Sequence, residues 1–306
     1  MQVDVHQHLW PAPLIDALRR RATPPRLRGW RLEVDGQADY PVDPAAHDPA
    51  VRAEQARHDG LDLALVSLSS PLGIEYLPPG ESDELLDAYH EGVRSLPAPF
   101  RGWAAAGLTE PDGAALEREL DRGSVGLQLP ATALLDEAGY RCARPLLDVL
   151  HAAQRPLMIH PGPSPATAGT PGWWPAMVGY VQQMHASWFA FRQFGRPRYP
   201  GLRVCFALLA GLAPLHGERF AARSHERGSL DENAFLDTSS YGTRAIDATI
   251  RVLGIDVLVH GSDRPYAKPT TPDLGAAALA AIRSSNPLRL MHLKEVPDAL
   301  APVAMP

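Results

Sequence analysis

Short apolar runs alternate with amphipathic segments along almost the whole chain, and this alternation constrains the fold more than any other feature. The runs Val3–His8, Leu61–Ser70, Arg101–Leu108, Ser124–Pro130, Arg155–Pro161, Leu202–Leu209, Asn233–Ser240 and Asp256–Asp263 read as buried strands. Between them, Leu14–Arg21, Ala50–His58, Asp83–Ser95, Gly113–Asp121, Arg141–Gln154, Trp173–Phe194, Gly211–Arg227 and Arg244–Leu253 read as helices, and Leu274–Arg283 follows the last strand. Strands that alternate with helices pair in parallel through right-handed crossovers. Eight such units in about 260 residues predict an α/β fold, a closed (β/α)8 TIM barrel. A doubly wound open sheet is the competing architecture, but no Gly-x-Gly-x-x-Gly turn follows the first strand. No linker interrupts residues 1–306, which predicts one domain. The Pro-, Gly- and Asp-rich stretch from Thr23 to Pro49 is predicted to be an irregular insertion over the barrel mouth, because long loops in compact domains usually cover a site.

The chain has 306 residues, 45% hydrophobic and 21% charged, enough for a sizeable core. Its net charge of −6, with both signs interspersed, offers no basic footprint for nucleic acid. The run Arg19-Arg20-Arg21 reads as a solvated helix face. Neither a signal peptide nor an apolar stretch of membrane-spanning length is visible, so a cytoplasmic protein without membrane association is expected. Cys142 and Cys205 lack metal-site spacing and sit in apolar surroundings, so both are expected to be buried thiols. A small-molecule substrate is the expected partner, and the aromatic segment Trp173–Phe194 suggests a homodimer.

In such a barrel the active site lies at the C-terminal ends of the strands. His6 and His8 end the first strand two residues apart, on one face; His160 ends the fifth and Asp263 the eighth. Taken singly, His160 reads equally well as a satisfied strand-end histidine and Asp263 as a turn or cap residue. Together, three imidazoles and a carboxylate form a set suited to one divalent metal, zinc first, with manganese, iron or cobalt compatible. Arg264 is a candidate clamp for a substrate carboxylate, with a structural ion pair as its alternative. Gln128, Tyr266, Ser67 and Ser69 are candidates to line the same mouth, whereas Trp173, Trp174 and Trp188 divide between an apolar substrate wall and ordinary core. Serine-based catalysis lacks its Gly-x-Ser-x-Gly elbow.

The segments VDVHQHLW (3–10), PLMIHPG (156–162), FLDTSS (235–240), VHGSDRPY (259–266) and SSNPLRLM (284–291) resemble the amidohydrolase superfamily. The resemblance is to the branch that includes aminocarboxymuconate-semialdehyde decarboxylase and related lactonases and decarboxylases. It implies a barrel holding one divalent metal through His6, His8, His160 and Asp263, with Asp263 also moving protons. One position departs from the family pattern: Leu208 stands where a histidine ends the sixth strand, and an aliphatic side chain transfers no proton. His216 and His225, in the following helix, are poor substitutes. The leading expectation is a hydrolase acting on an amide, lactone or ester through metal-activated water, with Asp263 as base. The alternatives are a non-oxidative decarboxylase of an aromatic or unsaturated acid, and a non-catalytic metal-containing binding protein.

Overall fold

The computed structural model describes residues 1–37, 39–225, 230–268 and 270–293. Eight parallel strands form its centre: β1 (Val3–Gln7), β2 (Leu63–Val66), β3 (Phe100–Gly102), β4 (Leu127–Pro130), β5 (Leu157–His160), β6 (Val204–Phe206), β7 (Ala234–Asp237) and β8 (Leu258–Val259). They form two laddered groups, β1–β2–β3 and β4 through β8, each in chain order. Single bridges join the groups, Ala104 to Leu127 on one side and Gln7 to Arg264 on the other. At the first seam Ala104 N donates to Gly126 O and Gln128 N to Ala104 O, both at 2.8 Å. At the second, Val5 N reaches His260 O at 2.9 Å, Asp263 N reaches His6 O at 2.9 Å and His8 N reaches Arg264 O at 2.6 Å. The expected (β/α)8 arrangement is therefore present, and both seams are linked by backbone hydrogen bonds. The strands expected at Arg101–Leu108 and Asp256–Asp263 narrow to β3 and β8 because pairing at the seams is reduced to isolated bridges.

Branched and aromatic side chains fill the layers around this sheet, including Val3, Leu65, Leu127, Ile159, Val204, Phe206 and Leu236, all fully buried. Helices start where the sequence supplies caps. Asp48 accepts from Ala50 N at 2.8 Å and Val51 N at 3.1 Å to begin Pro49–His58, and Asp112 does the same for Gly113–Asp121. Asn286 ties the last helix to β8 through Nδ2, which donates to Leu258 O at 2.7 Å and Ile255 O at 2.9 Å. Among the described residues no helix is long and apolar enough to cross a membrane.

Four local expectations change. The insertion is ordered: Arg26–Arg28, Arg31–Glu33 and Tyr40–Pro41 pair as a small antiparallel sheet. It reaches the loop after β5, where Ala166 N donates to Gly36 O at 2.9 Å. The helix expected at Arg141–Gln154 splits into Glu137–Cys142 and Arg144–Ala152, since Pro145 lacks an N–H and sits in a new first turn. Cys142, last in the shorter helix, is exposed; Cys205 is buried as expected. The helix expected from Gly211 is displaced to Gly217–Ser224, because Leu208, Leu209, Ala210, Gly211 and Leu212 all have positive φ and wind a left-handed turn.

The seam between β3 and β4 leaves no room at Gly126. A Cβ there would lie 2.2 Å from the Pro156 carbonyl oxygen and 2.9 Å from the Trp103 ring. Gly126→Ala should lower stability by about 1–3 kcal/mol, read as a reduced denaturant midpoint; an unchanged midpoint would show that the seam yields.

Candidate metal centre

β1 carries a bulge. Asp4 pairs with Ala64 and Gln7 with Val66, so three steps on β1 match two on β2. Asp4 and Gln7 thereby reach one another, with Gln7 Nε2 donating to Asp4 Oδ2 at 2.8 Å. His6 and His8 face the opposite way, toward His160 at the end of β5 and Asp263 beyond β8. One donor atom from each of the four residues lies within 4.8 Å of the other three. Asp263 takes a φ of 55°, a left-handed turn that an aspartate tolerates. His6 Nε2 is 3.1 Å from His8 Nε2, and Asp263 Oδ1 is 3.3 Å from His8 Nε2 and 3.7 Å from His6 Nε2. A tetrahedral ion with ligand bonds of about 2.0–2.2 Å needs donor separations of about 3.3–3.6 Å; the three separations here bracket that range, two of them lying just outside it.

Each imidazole is oriented through its other nitrogen. His6 Nδ1 meets Asp237 Oδ2 at 2.6 Å, His8 Nδ1 meets Ser67 O at 3.1 Å and His160 Nδ1 meets Pro161 O at 2.8 Å. Carbonyl oxygens only accept, so Nδ1 of His8 and His160 carries the proton and Nε2 presents a lone pair. With His6 Nδ1 donating to Asp237, two lone pairs face one another across 3.1 Å unless positive charge lies between them. Burial alone would lower the His6 pKa, but the charge and hydrogen bond of Asp237, with Asp263 and Asp4, outweigh it and raise it to about 9. His8 and His160 go the other way: burial lowers both, outweighing the hydrogen bond and charge of Asp263 at His8, and His6 lowers both further. Three imidazole nitrogens and a carboxylate oxygen brought this close form a donor set that fits a divalent cation.

Asp237 is the residue that sequence reasoning missed. It lay inside the FLDTSS segment without a role, yet its Oδ1 accepts from Ser239 N at 3.0 Å, Leu208 N at 3.0 Å and the Ser239 hydroxyl. His6, Asp237 and the Leu208 amide thus form one chain of contacts, and Leu208 sits beside the centre at the end of β6. Gly261 makes room for the carboxylate: a Cβ would lie 2.9 Å from Asp237 Cγ. His47 was also missed. Buried in the insertion, it accepts from Trp10 N at 3.1 Å and stacks on the Trp10 ring at 4.5 Å, while Trp10 Nε1 donates to Ser69 at 2.9 Å.

The remaining candidates separate. Tyr266 is at the centre, its ring 5.2 Å from that of His8 and its hydroxyl 3.4 Å from Ser69 Oγ. Gln128 is fully buried, with its amide nitrogen 2.8 Å from Leu68 O and 2.7 Å from Ser70 Oγ. Arg264 is not a clamp here: its guanidinium is committed to Asp59 at 2.7 Å, the ion pair that was its alternative reading. The backbone of Arg264, which closes the barrel, sends the side chain toward the helix ending at His58. Trp188 packs on Phe206 at 5.1 Å and belongs to the core; Trp173 is 58% exposed beside Trp174, with rings 5.8 Å apart. His216 pairs with His185 at 5.0 Å, and His225 caps its helix.

The sequence matches the family model described as amidohydrolase over residues 80–295, a span that includes His160 and Asp263 and begins after His6 and His8. Comparison with curated proteins finds no match. Solved structures similar to this one include the IDCase of Metarhizium anisopliae in apo form (18% identity, 96% of this chain and 98% of that one, TM-score 0.78). Another is 5-carboxyvanillate decarboxylase from Novosphingobium aromaticivorans with bound manganese and 3-methoxy-4-hydroxy-5-nitrobenzoic acid (17%, 96% and 97%, TM-score 0.74). A third is 2,6-dihydroxybenzoate decarboxylase from Rhizobium (16%, 96% and 99%, TM-score 0.67), and a 4-oxalomesaconate hydratase is also among them.

Asp237 orients His6, so Asp237→Ala should weaken metal binding about 10–100-fold in a chelator competition. The double change His6→Ala and His8→Ala should abolish stoichiometric metal in elemental analysis. Wild-type affinity in Asp237→Ala would refute the orienting role.

Proposed function

Because this chain belongs to the amidohydrolase family, we propose that it is a divalent-metal-dependent, non-oxidative decarboxylase of a small aromatic or unsaturated carboxylic acid. The observation that carries the reading is the convergence of three oriented imidazoles and Asp263 at the barrel mouth, within reach of Tyr266. The decarboxylases among the similar structures support a carboxylate substrate; they also favour this reading over hydrolysis, the first expectation from sequence. His6, His8, His160 and Asp263 would hold the metal. Zinc, manganese, iron and cobalt all suit the donor set, and a manganese-bound similar structure supports manganese. When bound, the metal supplies a Lewis-acidic centre that orients and polarises the substrate's oxygens.

The chain's own residues divide the remaining work. The bond between the substrate carbon and its carboxylate breaks, carbon dioxide leaves, and the electron pair stays on that carbon. Asp263 delivers the proton that the carbon takes. Its Oδ1 faces His6 and His8, whereas Oδ2 lies 3.4 Å from Ser240 Oγ and is open to exchange with solvent at the mouth, the side chain being 16% exposed. Leu208 takes no part in this transfer, which leaves Asp263 as the protic member of the set. Tyr266 walls the mouth beside His8, and Trp10 and His47 tie the insertion to the same rim.

Manganese- or zinc-loaded protein should release carbon dioxide from at least one member of a panel of hydroxybenzoic and unsaturated dicarboxylic acids. In deuterated water the product should carry one deuterium at the vacated carbon. Asp263→Asn should reduce turnover about 10²–10⁴-fold. Hydrolysis of lactones or esters without carbon dioxide release would replace this reading by the hydrolase. Stoichiometric metal with no turnover of either class would replace it by a binding protein.

A further inference from the structure

Gln128 lies on β4 in register with Met158 of β5, two residues before His160 on the same strand face. Met158 Sδ in turn lies 3.6 Å from Ser67 Oγ, so these side chains meet within the sheet's interior. Two independent contacts fix which way the Gln128 amide points. Leu68 O, 2.8 Å from Nε2, can only accept, so the NH₂ group must face it. The Ser70 hydroxyl donates to Glu75 Oε1 and therefore accepts from the same NH₂ at 2.7 Å. Oε1 is left over, fully buried and without a partner, and Glu75 Oε2 on the other side of Ser70 is equally unpaired. Buried acceptors are nearly always paired in folded proteins, and leaving one unmet is unfavourable. The amide group is near the chemistry: Leu68 O, which its NH₂ meets, follows by one peptide Ser67 O, which lies 3.1 Å from His8 Nδ1.

We propose that Gln128 is a specificity-determining residue whose Oε1 accepts a hydrogen bond from a hydroxyl or amino substituent of the acid substrate. This rests on the carboxylic-acid reading above. A carboxylate has no proton to give Oε1 and goes to the metal, so Gln128 reads a second group on the same molecule. Ser70 and Glu75 are positioning residues. Their contacts hold the amide nitrogen and keep the group from rotating to present a donor in place of Oε1.

The test uses the metal-loaded full chain and calorimetric binding of benzoate, the three monohydroxybenzoates and their methyl ethers. Wild type should prefer hydroxyl over methoxyl at one ring position by about tenfold or more. Gln128→Met should erase that preference, bringing the hydroxybenzoates to the affinity of their methyl ethers. Ser70→Ala, which leaves only Leu68 O to hold the amide, should reduce the preference and keeps the test decisive if Gln128→Met does not fold. A preference that survives both changes, as chelation by an ortho-hydroxyl would, overturns the assignment, and so does its absence from wild type. If no acid binds the metal-loaded wild type, the carboxylic-acid reading falls and this inference with it. If acids bind without preference, only the role of Gln128 falls.

Discussion

The amide of Asp263 donates to the carbonyl of His6 across 2.9 Å, and the candidate centre depends on that bond. It ties the turn after the eighth strand to the first strand, which brings together residues from opposite ends of the chain. The neighbouring bonds from Val5 to His260 and from His8 to Arg264 hold the same seam, so ring closure and ligand assembly are one structural event. A chain of loosely associated strands would leave the two histidines of β1 without their carboxylate. The cost of joining such distant segments grows only slowly with loop length, and the buried layers of the sheet supply the driving force.

Electrostatics then decides what occupies the assembled site. Asp237 is fully buried, and its charge is offset by His6 and by donors from Ser239 and Leu208. Burial disfavours that charge, but these contacts overcome it and keep the carboxyl below the ordinary carboxylate range. The negative charge fixed behind His6 raises the proton affinity of the imidazole, and a divalent cation is the natural competitor for the same lone pairs. Leu208 contributes through its backbone amide alone. The position that lacks a histidine side chain still stabilises the centre, one contact removed.

Two side-chain groups adjoin the candidate centre. Tyr266 and the Trp10–His47 stack form an aromatic rim tied to His8 through Ser69. From the adjacent Ser70, Gln128 and Glu75 extend a small buried polar network with acceptor atoms to spare.

Period and strand-end position made much of this legible in the chain itself. Alternating apolar runs specify parallel β/α units, and the rule that barrel sites sit at strand ends selects His6, His8, His160 and Asp263 without any structure. The helix starts expected at Ala50 and Gly113 lie within a residue of those observed, because Asp48 and Asp112 cap them locally. Contacts between segments distant in sequence were not legible. Arg264 follows Asp263 directly, yet its side chain is taken by Asp59, a partner 205 residues away that no local pattern announces. Asp237 likewise acquires its role only when β7 is laid beside β6 and the His6 ring. The left-handed turn at Leu208–Leu212 replaces the end of an expected strand and the start of an expected helix. Propensity and periodicity act over a few residues, so the sequence by itself determined the units and the ligand types. The partners of buried charges are set by barrel closure, and only the tertiary structure decided which side chains face the metal and which face away.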